Sequence, residues 1–91
     1  MGSKKKSILQ IADELVSLDR QSAYGHPREN FGQIAKIASA IIGKDLTAEE
    51  CAYVLLSTKL ARLHFKRKTD SIIDAAGYLK VIHMIEEDKY E

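Results

Sequence analysis

The chain reads as an all-α protein, a four-helix antiparallel bundle-like domain, on three observations. Apolar residues recur at three- and four-residue spacings along almost its whole length, and no stretch alternates with the period of a strand. Its one proline, Pro27, stands two residues after Gly25, which suits a helix stop followed by a helix start. Thr47 with Glu50 three residues on forms a capping box ahead of a long apolar run.

Each helix can be placed in turn. The first spans Ser7 to Gln21, with Ser7 as N-cap and Ile8, Ile11, Ala12, Leu15, Val16 and Leu18 as its apolar stripe. It fails by Tyr24-Gly25. The second opens at Pro27, with His26 near the N-cap, carries Phe31, Ile34, Ala35, Ala38, Ile41 and Ile42 inward, and ends at Gly43.

The third runs from about Ala48 to Phe65. Its packed side holds Cys51, Val54, Leu55, Thr58, Ala61 and Phe65, and Leu56, Leu60 and Leu63 widen it. So wide a face predicts a central helix, or one with a second side buried between subunits. After the polar FKRKT hinge the fourth helix is capped by Thr69 or Asp70 and continues to about Asp88. Ile72, Ile73, Ala76, Leu79, Ile82 and Ile85 make its core face. Gly77 inside it disfavours the helix by roughly 1 kcal/mol relative to Ala, which asks for close approach by another helix or a ligand.

Ninety-one residues make one domain, placed at 7–91 behind a flexible N-terminal tail at 1–6. With 45% hydrophobic and 30% charged residues the composition is globular, and so short a chain is expected to gain stability as a homo-oligomer. Fourteen Lys and Arg against 13 Asp and Glu leave a net charge of +1, so nucleic acid is not the expected partner. The charge is uneven: Lys4–Lys6 and Lys66–Lys68 are basic and Glu86–Glu91 is acidic, and the KRK run reads as a solvated turn. One cysteine allows no intrachain disulfide and suits a reducing, cytoplasmic setting, with Cys51 as core filler. Asp13 and Glu14 interrupt the segment after the basic start, so no signal peptide is expected, and no apolar run reaches the length of a membrane span.

The residues from Asp19 to Phe31, DRQSAYGHPRENF, hold the proline, two of the four arginines and two aromatics. A free helix N-terminus beside arginine is a natural anion site, which makes Arg20, His26 and Arg28 candidate phosphate ligands with Tyr24 beside them. Lys59 and Arg62 share a helical face, as do Asp70, Asp74 and Tyr78. Antiparallel packing of the two helices lets Arg62 meet Asp70 or Asp74, either as a brace for the hairpin or as a phosphate-facing pair. Asp70 and Asp74 are also the candidate metal ligands, and an incomplete set. No phosphate loop, catalytic triad or zinc pattern is present. His64 and His83 read as surface residues.

Taken in order, Asp19-Arg20, Tyr24-Gly25-His26-Pro27, Asn30-Phe31, Lys59-x-x-Arg62 and Asp70-Ser71-x-x-Asp74-x-x-Gly77-Tyr78 resemble a family of small phage and prophage proteins catalogued as a domain of unknown function. The likeness spans Asp19 to Tyr78 and implies a phage origin, hence the cytoplasm of a bacterial host. A more distant likeness is to the all-α nucleoside triphosphate pyrophosphohydrolases of the MazG and dimeric dUTPase type, which hold magnesium between two carboxylate pairs. Asp70 and Asp74 stand for one pair; where the other belongs the chain has Lys59 and Arg62. The expected function is therefore a binding module for a nucleotide or other phosphorylated small molecule, serving a phage in adjusting nucleotide pools or sequestering a host signal. Its ligand residues are Arg20, Tyr24, His26, Arg28, Lys59, Arg62 and Tyr78, and no cofactor is certain, with magnesium expected only for the enzyme alternative. One alternative is a magnesium-dependent pyrophosphohydrolase using Asp70 and Asp74. Another is a helical protein-interaction module with no small ligand.

Overall fold

The computed structural model describes residues 5–90, with side chains described through residue 87. Residues 1–4 of the expected tail and the last residue of the acidic terminus lie outside the described residues. Every regular element among the described residues is helical. The first rod comprises α1 (Ile8–Glu14), a π-helical segment (Leu15–Arg20) and α2 (Gln21–Tyr24), with helical dihedrals kept through both junctions. Three further rods follow: α3 (Pro27–Ile42), α4 (Ala48–Phe65) and α5 (Thr69–Tyr90).

The caps behave as their chemistry dictates. Ser7 Oγ accepts from the Gln10 N–H at 3.0 Å while Gln10 Oε1 accepts from the Ser7 N–H at 2.7 Å. Thr47 and Glu50 repeat that reciprocal pattern at the start of α4, at 3.1 and 2.9 Å. Gly25 takes φ +84°, which only glycine adopts cheaply, and the chain then turns through His26 into Pro27 at the head of α3. Thr69 and Asp70 lie inside the first turn of α5. The carbonyl ahead of them, on Lys68, accepts from the N–H groups of Ser71 and Ile72, one residue earlier than the cap expected.

The π segment is the main departure from a regular pattern. A π turn holds an extra residue and so shifts the phase of everything after it. Ala12 and Val16 keep their buried places, but Leu18, expected on the stripe, is 62% exposed. The first rod also reaches Tyr24, three residues past its expected end.

The central helix is α5, which packs against the first rod, α3 and α4. The first rod lies antiparallel to it. Lys80 Nζ donates to Asp13 and, at 2.6 Å, to Ser17 Oγ, while Val16 abuts Gly77. Val16, Phe31, Ala35, Cys51, Ala52, Val81, Ile82 and Ile85 form the core. By contrast, α4 is an outer helix that among the described elements touches only α3 and α5. Cys51 and Ala52 are buried and Leu55, Leu56, Lys59 and Leu63 half-buried, whereas Val54, Thr58, Ala61 and Phe65 face outward. The broad apolar face of α4 thus does not mark it as central; helices on three sides spread burial around α5 instead. Ile41 and Ile42 at the end of α3, and Leu79 on α5, are likewise exposed rather than in the core. No helix is long and apolar enough among the described residues to cross a membrane.

Candidate functional site

Folding α3 back at Gly25–His26 opens a cleft of about 330 Å³ between that turn, the π segment and the middle of α5. Its floor is core: Val16, Phe31, Ile73 and Val81. Its rim is polar, with Arg20 and Gln21 from the first rod, Asn30 from α3, Asp74 from α5, and the phenols of Tyr24 and Tyr78. Antiparallel register, with Asp13 against Lys80 and Val16 against Gly77, sets Arg20 level with Ile73 and Asp74. Among the described residues the side chains of Arg20, Gln21, Tyr24, Asn30 and Tyr78 make no hydrogen bond or ion pair within the protein. Five polar side chains line one concavity, and of these the Tyr78 ring also packs against the core.

Asp74 is the exception. Its Oδ2 lies 2.9 Å from Lys59 Nζ on α4, and the pair is shielded, with side chains 28% and 18% exposed. Asp74 also lines a second, wider cleft of about 620 Å³ at the α4–α5 hinge. Lys59, Arg62, Lys66 and Lys68 supply its cations, and Asp70 its other carboxylate. Helical spacing alone allows Arg62 to meet Asp70 or Asp74; in the structure Lys59 makes that contact, and Arg62 has no ion pair among the described residues.

His26 and Arg28 are placed otherwise. His26 Nδ1 accepts from the Arg28 N–H at 3.0 Å, as an N-cap does. Its Nε2 lies 3.8 Å from Glu87 Oε1, and the same oxygen is 3.7 Å from an Arg28 terminal nitrogen. Both side chains therefore address α5 beyond the cleft, and neither lines it. The structure brings together Arg20, Tyr24 and Tyr78, joins Lys59 to them through Asp74, and sets Arg62 and Asp70 next door. The site residues missing from the ligand set that the sequence suggests are Gln21 and Asn30; both stand in plain view within the DRQ and NF motifs. His64 and His83 are exposed. Among the described residues no group of three or more His, Cys, Asp or Glu could hold a metal ion, so Asp70 and Asp74 find no third ligand there.

These features define a small all-α domain with an aromatic-rimmed cleft bordered by cations. The chain belongs to the family DUF6378, a domain of unknown function, whose model matches residues 7–86. It is similar to the Gene 55 protein of Mycobacterium phage D29, 36% identical over 89 residues, covering 94% of this chain and 58% of that protein. The Gene 55 protein of Mycobacterium phage L5 is 32% identical over 89 residues, covering 92% of this chain and 57% of its own length. The chain thus spans somewhat over half the length of these curated relatives. No solved structure matches. The phage family read from the ordered motifs is confirmed; the likeness to the MazG-type pyrophosphohydrolases receives no support.

Proposed function

We propose that this domain binds a nucleotide or closely related phosphorylated small molecule in the cleft between the π segment, α3 and α5. The observation that carries the reading is the gathering of Arg20, Gln21, Asn30, Tyr24 and Tyr78, whose polar groups make no hydrogen bond or ion pair among the described residues, around an apolar floor. A concave, mostly apolar site with a few convergent polar groups is what ligand pockets share. An aromatic ring system would lie against Val16, Phe31 and the tyrosine rings. The amide groups of Gln21 and Asn30 would read its edge, and Arg20 would meet a phosphate. In a phage such a domain would hold nucleotides or a host signalling nucleotide within the host cytoplasm. The test is a thermal-shift screen of linear and cyclic nucleotides. A true ligand at 100 times its Kd adds about 2.7 kcal/mol, and Arg20→Ala and Tyr78→Ala each reduce that gain. A screen in which no nucleotide shifts the midpoint overturns the proposal.

A second reading, a helical interaction module that includes self-association, draws on the outward face of α4. There Val54 is 61% and Phe65 91% exposed, and the exposed Ala61 lies on the same helical face between them. Contiguous exposed apolar residues mark interaction surfaces. Sedimentation of the chain and of Val54→Glu separates the two readings. A homo-oligomer that the substitution dissociates supports the surface, and a monomer under both conditions removes it.

A further inference from the structure

We infer that the ligand is a nucleoside carrying two or more linked phosphates, laid along α5 from the aromatic cleft into the cationic one; this rests on the nucleotide reading above. The two clefts are neighbours because Asp74 lines both. Tyr78, Asp74 and Asp70 succeed one another every four residues on α5, so one face of that helix passes beneath both. At a rise of 1.5 Å per residue, the step from Tyr78 to Asp70 is about 12 Å. That length suits an extended ligand and far exceeds what a single phosphate needs.

The chemistry changes along this line. At the Tyr78 end the floor is Val16, Phe31 and Val81, apolar and buried. At the Asp70 end the lining is Lys59, Arg62, Lys66 and Lys68 with two carboxylates. One of those carboxylates is already neutralised, since Asp74 holds Lys59 at 2.9 Å. Arg62, Lys66 and Lys68 therefore face Asp70 alone, a local excess of positive charge in a chain whose net charge is only +1. None of the three has an ion pair or side-chain hydrogen bond among the described residues. Arg20, level with Asp74 at the border, is sufficient for a first phosphate. Three further cations beyond it match further phosphates on the same chain, and the Asp74–Lys59 pair keeps a bare carboxylate from repelling them.

The hinge holds these side chains in place without using them. Lys66 leaves α4 in an extended conformation, φ −155° and ψ 131°, and only backbone groups tie the connection: its N–H donates to the Arg62 carbonyl at 2.9 Å. Removing the charges of Arg62 and Lys66 therefore leaves the fold intact.

The experiment is calorimetric titration of the full chain with the four deoxynucleosides and their mono-, di- and triphosphates. Affinity is expected to rise by about tenfold or more from monophosphate to triphosphate for the preferred base, the step of one good charge-assisted contact. In Arg62→Ala/Lys66→Ala that rise is lost, while affinity for the monophosphate stays within about twofold of the parent. Equal binding of mono- and triphosphate, or a rise that survives in the double variant, overturns this inference and leaves the nucleotide reading standing. If no nucleoside or nucleotide binds, both fall. Phe65, 91% exposed beside these cations, offers a stacking face to a single-stranded nucleic acid, so a ten-residue oligothymidylate is titrated as well. Oligomer binding that deoxynucleoside triphosphates do not displace overturns the small-molecule inference in favour of a strand.

Discussion

Two short connections interrupt the helices around the site, and they differ in what holds them. At Gly25–His26 the side chains are employed. The His26 ring caps α3, its carbonyl accepts from Glu29 and Asn30 at 2.9 and 3.0 Å, and Glu87 lies within 4.0 Å of both His26 and Arg28. At Lys66–Lys68 the backbone alone is bonded, through Lys66 to Arg62 and through Ser71 to Lys68, while three consecutive cations face solvent. The Gly25–His26 loop has the rarer composition, yet folding accounts for its histidine. The Lys66–Lys68 loop has the composition of a plain solvated turn, yet borders a cleft whose charge folding leaves unbalanced. Unusual residues in a loop therefore point to a ligand only after the fold's own demands have been subtracted.

The sharpest way to break this contrast is to attack what pins each loop. Phe31, one helical turn beyond His26, is 5% exposed and sits in the core under the first connection. Phe31→Ala should lower stability by about 3–5 kcal/mol in urea unfolding, through lost transfer energy and the cavity left behind. Gly25→Ala comes next. At φ +84° and ψ −175° a Cβ is strained whatever the space around it, at about 1–3 kcal/mol, even though nothing lies within 4 Å of the added atom. Lys66→Ala, in the other loop, should change stability by less than about 0.5 kcal/mol. Equal losses at Gly25 and Lys66 would erase the distinction between the connections.

The same contrast explains what can be read from the chain alone. Helix starts and stops are legible because they are local: Ser7, Thr47 with Glu50, Gly25 and Pro27 each act through neighbours within four residues. The family is legible for a related reason, as many of its motif residues gather at the cleft. Inside and outside are less so. Leu18, Ile41, Val54 and Phe65 all sit on plausible apolar stripes, but which stripe is covered depends on how many rods a helix touches, and periodicity does not encode that. Nor does it announce a π turn, whose extra residue moves Leu18 out. The pairing of Asp74 with Lys59 rather than Arg62 is likewise a matter of one helical turn in the α4–α5 register.

Smaller effects refine the picture. Glu87→Gln removes the charge that His26 and Arg28 share at 3.8 and 3.7 Å. All three side chains are partly exposed, so the loss should stay below about 1 kcal/mol and shrink with added salt. Nucleotide affinity should be unchanged, because none of the three lines the aromatic cleft. A large loss of affinity in Glu87→Gln would return His26 and Arg28 to the site.

Gly77 carries a small change in stability and separates folding from function most directly. Glycine within a helix is disfavoured relative to alanine, so its presence on α5 asks for a reason. Packing gives a weak one: a Cβ built at Gly77 would meet Val16 Cγ2 at 3.4 Å, an ordinary contact with the side chain of a neighbouring rod. Gly77→Ala should therefore raise stability by about 0.5 kcal/mol, chiefly by restricting the unfolded chain. The residue also lines the cleft between Asp74 and Tyr78, where a methyl group would occupy space that a bound ring needs. Higher stability with weaker nucleotide binding would mean that the glycine serves the ligand. Lower stability would mean that Val16 cannot yield, and that Gly77 belongs to the fold after all.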